Sequence, residues 1–246
     1  MKRLIYITYL SLLVLILISC QKENVVPAGA PEEFQAESAR IYQCNSYSYN
    51  TKTGPVNLGS VKSDVILVIF EQGISSAQRQ AILTSYQIFR QTESEFFTDS
   101  GDTIQVLRLK PNATCNSVET MLASLDRNNS VKFAMPVFSA PVNSGLVWIG
   151  QTHEFLVTLA NPNHYSKLLK LAAATKTTIV DDWGGGLYMM KINPNSIGNT
   201  LEVCSYFNSL SYISIAEPNF LMQGPVLKQR RFSEVINPVL AATSQH

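Results

Sequence analysis

The sequence predicts an α+β protein built from two tandem ferredoxin-like units with antiparallel sheets. The segment at residues 213–220 alternates apolar and polar side chains and closes on a proline, as a short strand does at the end of its ladder. A weaker copy lies at residues 131–138. Each copy follows the same series of signals, in the order strand, helix, strand, strand, helix, strand, so one unit is used twice.

The first unit is predicted over residues 61–141. Its first strand is the apolar run at residues 65–70, which is typical of a strand covered on both faces. The helices follow from capping residues and apolar spacing, and the strands from alternation next to turn residues. In chain order, the other predicted elements are a helix capped at Ser75 or Ser76, a strand or irregular segment at 87–98, a strand at 103–110, a helix beginning at Ser117 and a strand at 131–136.

The second unit is predicted over residues 151–223, after a linker. Its clearest helix, residues 164–174, places Tyr165, Leu168, Leu169 and Ala172 on one side. The other predicted elements are a strand at 154–159, strands at 177–182 and 187–192 around a glycine loop, a helix carrying Leu201, Cys204 and Phe207, and the closing strand at 213–220.

Residues 1–20 have the pattern of an export signal. Lys2 and Arg3 precede an apolar run, residues 4–18, that is shorter than a membrane-spanning helix requires. Leu17-Ile18-Ser19-Cys20 resembles the lipobox of bacterial lipoproteins, in which the cysteine is lipidated and becomes the mature N-terminus. The resemblance implies that Cys20 anchors the chain in the cell envelope, on the outer membrane. Gln21-Lys22-Glu23 is similar to surface-export signals of the Bacteroidetes type, and the choice between the periplasmic side and the surface stays open.

Two segments outside the units lack sustained apolar periodicity. Residues 21–60 are rich in Pro, Gly, Ser and Asn and are predicted to be a tether, although the tyrosines at 47 and 49 could add a short strand. Residues 224–246 are predicted to be a disordered tail.

Composition excludes some classes of function. Charged residues make up 15% of the chain and the net charge is +1, so the chain lacks the excess of basic residues expected of a nucleic-acid binder. If Cys20 carries lipid, then Cys44, Cys115 and Cys204 remain, and three thiols in an oxidising compartment form at most one pair. Cys115 and Cys204 are interpreted as buried structural thiols. Neither cysteine spacing nor nearby histidines indicate a metal site.

No catalytic constellation is visible in the sequence. His153 and His164 begin a strand and a helix, where exposed polar residues are expected. Asp181 and Asp182 are adjacent on a strand and therefore point to opposite faces, which argues against a carboxylate pair for acid-base chemistry. The glycine run at residues 184–186 lacks the lysine and serine of a phosphate cradle. We therefore expect no enzyme activity, no cofactor and no small-molecule substrate.

The second unit does resemble a known family. From Glu154-Phe-Leu-Val to Ala216-Glu-Pro-Asn-Phe220 it is similar to the N-terminal prodomains of subtilisin-like serine proteases, especially the fervidolysin-like type, and the first unit shares the pattern loosely. The resemblance implies that a sheet face docks on a protease and that the segment after the last strand enters the active-site cleft. The residues that it assigns to partner binding are Glu217, Pro218, Asn219, Phe220, Leu221 and Met222.

The chain departs from that family because the protease is missing. It contains no His-Gly-Thr and no Gly-Thr-Ser-x-Ala motif, and Asp99-Ser-Gly101 is better explained as a turn. The sequence therefore predicts a non-catalytic envelope protein that binds or inhibits a subtilisin-like protease supplied by another chain. The alternative is a surface or periplasmic protein-binding or structural module without a protease partner, in which the two sheets cover each other's apolar faces.

Overall fold

A computed structural model describes residues 44–224 of the chain. The predicted signal peptide, the lipidation site Cys20, residues 21–43 of the predicted tether and nearly all of the predicted tail lie outside the described residues. Within residues 44–224 no helix is long and apolar enough to cross a membrane.

The described residues form twelve strands, four α-helices and one short 3-10 turn. The strands are β1 (Tyr47–Thr51), β2 (Gly54–Gly59), β3 (Val61–Phe70), β4 (Phe89–Phe97), β5 (Thr103–Leu109), β6 (Val131–Ser139), β7 (Trp148–Gly150), β8 (Glu154–Leu159), β9 (Thr178–Gly184), β10 (Leu187–Lys191), β11 (Ile213–Pro218) and β12 (Leu221–Gln223). The helices are α1 (Ser76–Thr84), α2 (Cys115–Leu125), α3 (Tyr165–Thr175) and α4 (Thr200–Asn208).

The strands form antiparallel sheets, which confirms the predicted α+β class. The first sheet has the order β12-β7-β6-β3-β5-β4, the second has the order β11-β8-β10-β9, and β1 pairs with β2 alone. We call residues 61–139 the first half and residues 151–218 the second half. In each half the chain runs strand, helix, strand, strand, helix, strand, and the four strands lie side by side in the order fourth, first, third, second.

Capping side chains set where the helices begin. Ser75 caps α1 in a reciprocal pair of hydrogen bonds with Gln78, as the sequence indicates. Helix α2 begins two residues before the predicted Ser117, because Thr114 is the cap and Ser117 is its partner at the third helical position. Asn199 and Glu202 form the same arrangement at α4. Each pair satisfies backbone N–H groups that the first turn would otherwise leave unbonded.

One continuous apolar core runs through both halves. Residues 65–70 of β3 are buried on both faces of the first sheet. One contact between the second half and this sheet is the ring of His153, which stacks on Phe133 of β6 with 5.2 Å between centroids. The halves therefore share a core rather than forming separate domains.

Two three-residue strands were not predicted. Strand β7 lies in the predicted linker, and β12 lies in the segment predicted to enter a protease cleft. Leu221 pairs with Gly150 and Gln223 with Trp148, so the chain returns from the second half to the edge of the first sheet. Leu221 and Met222 are therefore part of a sheet and do not form a free segment after the last strand.

Residues 47–59 of the predicted tether form the β1–β2 hairpin, and the short strand considered at Tyr47 and Tyr49 is β1. A disulfide joins Cys44 to Cys115, which is the single pair that three thiols can form at once, so Cys115 is a disulfide cysteine and not the buried thiol that its position indicated. The ring of Tyr47 packs on Phe138, with 5.2 Å between centroids. Cys204 is buried and unpaired as interpreted, and burial raises the pKa of its thiol well above the ordinary value. It is therefore unreactive.

Gly150→Ala is expected to destabilise the protein by about 2 kcal/mol, because overpacking a filled core forces neighbours to move. A Cβ at this position would lie 2.5 Å from Leu67 Cδ1 and 3.3 Å from both Leu67 Cγ and Trp148 Cζ3. Gly224→Ala is the matched control, since nothing lies within 4 Å of a Cβ there. Urea unfolding would measure both variants, and equal stabilities would contradict the close packing of β7 on β3.

Candidate functional site

A polar cluster lies where the first half meets the second half. The turn between β4 and β5 supplies a hydroxyl and a carboxylate, β6 supplies a lysine, and the second half supplies the rest from β8, β10 and the residue before β8. We call the following six residues the junction cluster: Ser100, Asp102, Lys132, His153, Glu154 and Lys191.

Asp102 is the centre of the junction cluster. Its Oδ1 lies 2.5 Å from Lys132 Nζ, and its Oδ2 lies 3.0 Å from His153 Nε2 and 3.5 Å from Lys191 Nζ. Burial alone would raise the pKa of Asp102, but the hydrogen bond from Lys132 and the surrounding positive charges outweigh it and lower that pKa. Asp102 is therefore an ionised acceptor shared between the halves.

His153 is 0% exposed, so the prediction that it is an exposed residue is wrong. Its Nε2 contacts Ser100 Oγ at 3.1 Å as well as Asp102. Its Nδ1 is buried and has no hydrogen-bond partner among the described residues. Burial lowers the pKa of His153, and this effect exceeds the opposing influence of the Asp102 and Glu154 carboxylates. His153 is therefore held in its neutral form.

Glu154 is 1% exposed and joins three segments of the chain. Its Oε1 accepts from the Ser100 N–H at 2.8 Å, and its Oε2 accepts from Asn219 Nδ2 at 3.3 Å. The Asn219 N–H also donates to the Glu154 carbonyl at 2.9 Å, and the Thr152 hydroxyl donates to the Asn219 carbonyl. The asparagine of the Ala-Glu-Pro-Asn-Phe segment thus fixes the end of β11 to the start of β8.

The six residues that the resemblance assigns to partner binding do not form one surface. Pro218 is buried, Asn219 is bonded within the protein, and the half-buried ring of Phe220 lies 6.4 Å from that of Tyr49. Leu221 is half-buried in β12, while Glu217 and Met222 are exposed.

The junction cluster does not have the geometry of a Ser-His-Asp triad. In a triad the serine and the aspartate contact opposite nitrogens of the histidine, whereas here Ser100 and Asp102 both contact Nε2. A carboxylate 3.0 Å away favours a proton on Nε2, and a protonated Nε2 cannot accept the serine proton. The arrangement can join the two halves and respond to protonation. A cleft of about 480 Å³ lies beside Asp102 and Lys132.

Other residues considered from the sequence have structural contacts. Asp181 accepts hydrogen bonds from the backbone of Asp182 at 2.9 Å and from Trp183 Nε1 at 3.0 Å, so it shapes the end of β9. Trp148 is buried and Trp183 is half-exposed. Among residues 44–224 no group of three or more His, Cys, Asp or Glu side chains could hold a metal ion.

The second sheet has one face that the helices do not cover. On the covered face, the ring of Phe155 lies 5.3 Å from that of Phe207 in α4, and the ring of Tyr188 lies 5.4 Å from that of Tyr165 in α3. Because side chains alternate along strands, the residues between these belong to the other face. We call this surface the open face, and its cross-strand pairs place together Leu156, Thr158, Asp181, Leu187, Met189, Ile215 and Glu217.

The open face is apolar at its centre and acidic at its edges. Met189 is 1% exposed, yet it lies outside the continuous core. Leu156 and Leu187 beside it are half-buried, and Ile215, Asp181 and Glu217 are exposed. The sequence indicates apolar residues on both faces of these strands, but only the sheet order shows which of them remain accessible.

These features define the chain as an α+β protein with antiparallel sheets, a buried polar junction and an accessible apolar face. No family model matches the chain, and no curated protein is significantly similar to it.

Proposed function

We propose that this protein is a non-catalytic, lipid-anchored envelope protein of two ferredoxin-like units, and that it binds a partner protein through the open face. The observation that carries the proposal is the open face itself. Leu156, Leu187 and Ile215 keep apolar surface accessible to solvent on the side of the sheet opposite to α3 and α4. Accessible apolar groups surrounded by polar residues are typical of protein-interaction sites.

The strand order supports the assignment of ferredoxin-like units. Both halves follow the βαββαβ order, and their strands lie in the spatial order fourth, first, third, second. Helices pack on one face of the second sheet, which leaves the other face available for docking.

The disulfide supports a location in the cell envelope. Cys44 and Cys115 have Cα atoms 5.9 Å apart, within the usual range for a disulfide. Disulfides form and persist in oxidising compartments outside the cytosol. This agrees with the export signal and with lipid attachment at Cys20.

The first partner to test is a subtilisin-like serine protease, because the resemblance to subtilase prodomains implies docking through a sheet face. Strand β12 favours a second candidate, a protein-binding module without a protease partner. Leu221, Met222 and Gln223 are paired with β7, so they would have to leave the sheet before entering a cleft. We therefore expect binding through the open face to precede any inhibition.

Leu187→Asp is expected to weaken protease binding at least tenfold, because it places a charge at the apolar centre of the open face. The full chain in detergent would be titrated against several subtilisin-like proteases, with binding followed by calorimetry and inhibition by peptide hydrolysis. Leu169→Asp is the matched control, since Leu169 is 47% exposed on α3, away from the open face. Thermal unfolding of both variants would establish that they fold.

Two outcomes would change the proposal in different ways. If no protease binds the wild-type chain at micromolar concentrations, the protease partner is rejected and the second candidate replaces it. If a protease binds the wild-type chain and binds the folded Leu187→Asp variant equally well, the open face is not the docking surface.

A further inference from the structure

We propose that the junction cluster is a pH-sensitive latch that holds the turn from Thr98 to Asp102 against the second half at neutral pH and releases it on acidification. The open face adjoins this latch, so its accessible area increases when the turn is released. The second statement rests on the proposed function, whereas the first does not.

The turn is a compact element that can move as a unit. The Thr98 N–H donates to the Asp102 carbonyl at 2.9 Å, and the Gly101 N–H donates to the Thr98 carbonyl at 3.0 Å. Its contacts with the second half pass through two residues. Ser100 contacts Glu154 and His153, and Asp102 contacts His153 and Lys191.

The charges around His153 are balanced only while its ring is neutral. Asp102 and Glu154 contribute two negative charges, and Lys132 and Lys191 contribute two positive charges. A proton on His153 would add a positive charge at Nδ1, where no acceptor is available among the described residues. Burying a charged ring whose Nδ1–H has no acceptor is costly, and movement of the turn would give water access to the Nε2 edge of the ring, where Ser100 and Asp102 lie.

The direction of the pH effect follows from proton binding. Burial lowers the pKa of His153 in the closed state, and release would return that pKa towards its ordinary value of 6.5. The closed state therefore binds fewer protons, and the equilibrium moves towards the released state as the pH falls below 6.5. The equilibrium changes only over the roughly 1.5 pH units between 6.5 and 5.0, by at most tenfold per unit, so the limit between pH 7.5 and pH 5.0 is roughly 30-fold.

The link to the open face comes from strand register. Glu154 of β8 is directly opposite Lys191 of β10, and both belong to the row that continues into Leu156 and Met189. The turn contacts this end of the row through Ser100 and Asp102. Release of the turn therefore uncovers the end of the open face and makes partner docking stronger in acid.

Amide hydrogen exchange measured by NMR on the full chain tests the latch. The reporter is the Ser100 N–H, which is bonded to Glu154, and the reference is the Leu67 N–H in the core of the first sheet. Between pH 7.5 and pH 5.0, the protection factor of Ser100 is expected to fall by up to about 30-fold, and by more than that of Leu67. His153→Gln should remove this pH dependence, and the matched control His164→Gln should retain it.

Three results would overturn the latch. These are an unchanged Ser100 protection factor, an equal fall for Leu67 that shows global unfolding, and persistence of the pH dependence in His153→Gln. If His153→Gln does not fold, the NMR titration of His153 in the wild-type chain decides instead. Its midpoint must coincide with the midpoint of the Ser100 change, and a separation of more than one pH unit contradicts the proposal. Failure to find a protein partner would alter none of these measurements.

Discussion

Replacing Cys44 or Cys115 by serine is expected to lower the free energy of unfolding by about 4 kcal/mol, the value that the chain-entropy treatment gives for a loop of this length. The two cysteines are 71 residues apart, so the disulfide removes many conformations from the unfolded chain. The neighbouring residue adds a second connection, because the Asn45 backbone and side chain donate to Glu119 of α2 at 3.0 and 2.9 Å. Guanidinium unfolding of the oxidised chain would measure the loss.

The controls for this prediction come from the same pair. The double variant Cys44→Ser/Cys115→Ser should be about as stable as either single variant, because each removes the same bond. A reducing agent should destabilise the wild-type chain and leave Cys44→Ser unchanged. A loss below 1 kcal/mol in both single variants would show that the disulfide contributes little to stability.

Asn208→Ala is expected to destabilise the protein by about 3 kcal/mol, because several buried backbone groups lose their partners. Asn208 is 5% exposed. Its Nδ2 donates to the Asn50 carbonyl at 2.9 Å and to the Ala216 carbonyl at 2.7 Å, and its Oδ1 accepts from the Ala216 N–H at 2.8 Å. One side chain thus joins the hairpin, α4 and β11.

Ser205→Ala is the control for Asn208→Ala, because it removes a single hydrogen bond to the same hairpin. The Ser205 hydroxyl accepts one hydrogen bond, from the Asn50 N–H at 2.9 Å, and the residue is half-buried. Its loss should cost about 1 kcal/mol. Equal destabilisation by the two variants in urea unfolding would mean that Asn208 does not have the bridging role inferred from its contacts.

The hairpin therefore connects the two halves. On one side, the disulfide and Glu119 hold it to α2, and on the other side Ser205 and Asn208 hold it to α4. Together with the shared core and the junction cluster, these contacts hold the two halves together.

Several elements could be predicted from the sequence because local patterns determine them. The strand predicted at residues 154–159 has the bounds observed for β8, and the helix predicted at residues 164–174 differs from α3 by one residue at each end. Apolar periodicity acts over a few neighbouring positions, so no distant contact was needed to place these elements.

The pairing of the cysteines and the role of His153 could not be predicted in this way. Three thiols allow three pairings, and only the approach of the hairpin to α2 selects Cys44 and Cys115. His153 begins a strand, where exposure is the ordinary expectation, but the turn carrying Ser100 and Asp102 covers it from 51 residues away. Burial and charge at that position depend on a contact that local sequence does not encode.

The sequence by itself determined the α+β class, the repeated order of strands and helices and the approximate positions of most of them, because these follow from side-chain periodicity and capping. The tertiary structure alone decided the rest. Strands β7 and β12 are too short for periodicity to show, and they become strands only because their backbone groups find partners in the first sheet. For the same reason the junction cluster and the open face exist only after folding, when distant side chains meet and helices cover one face of a sheet but not the other.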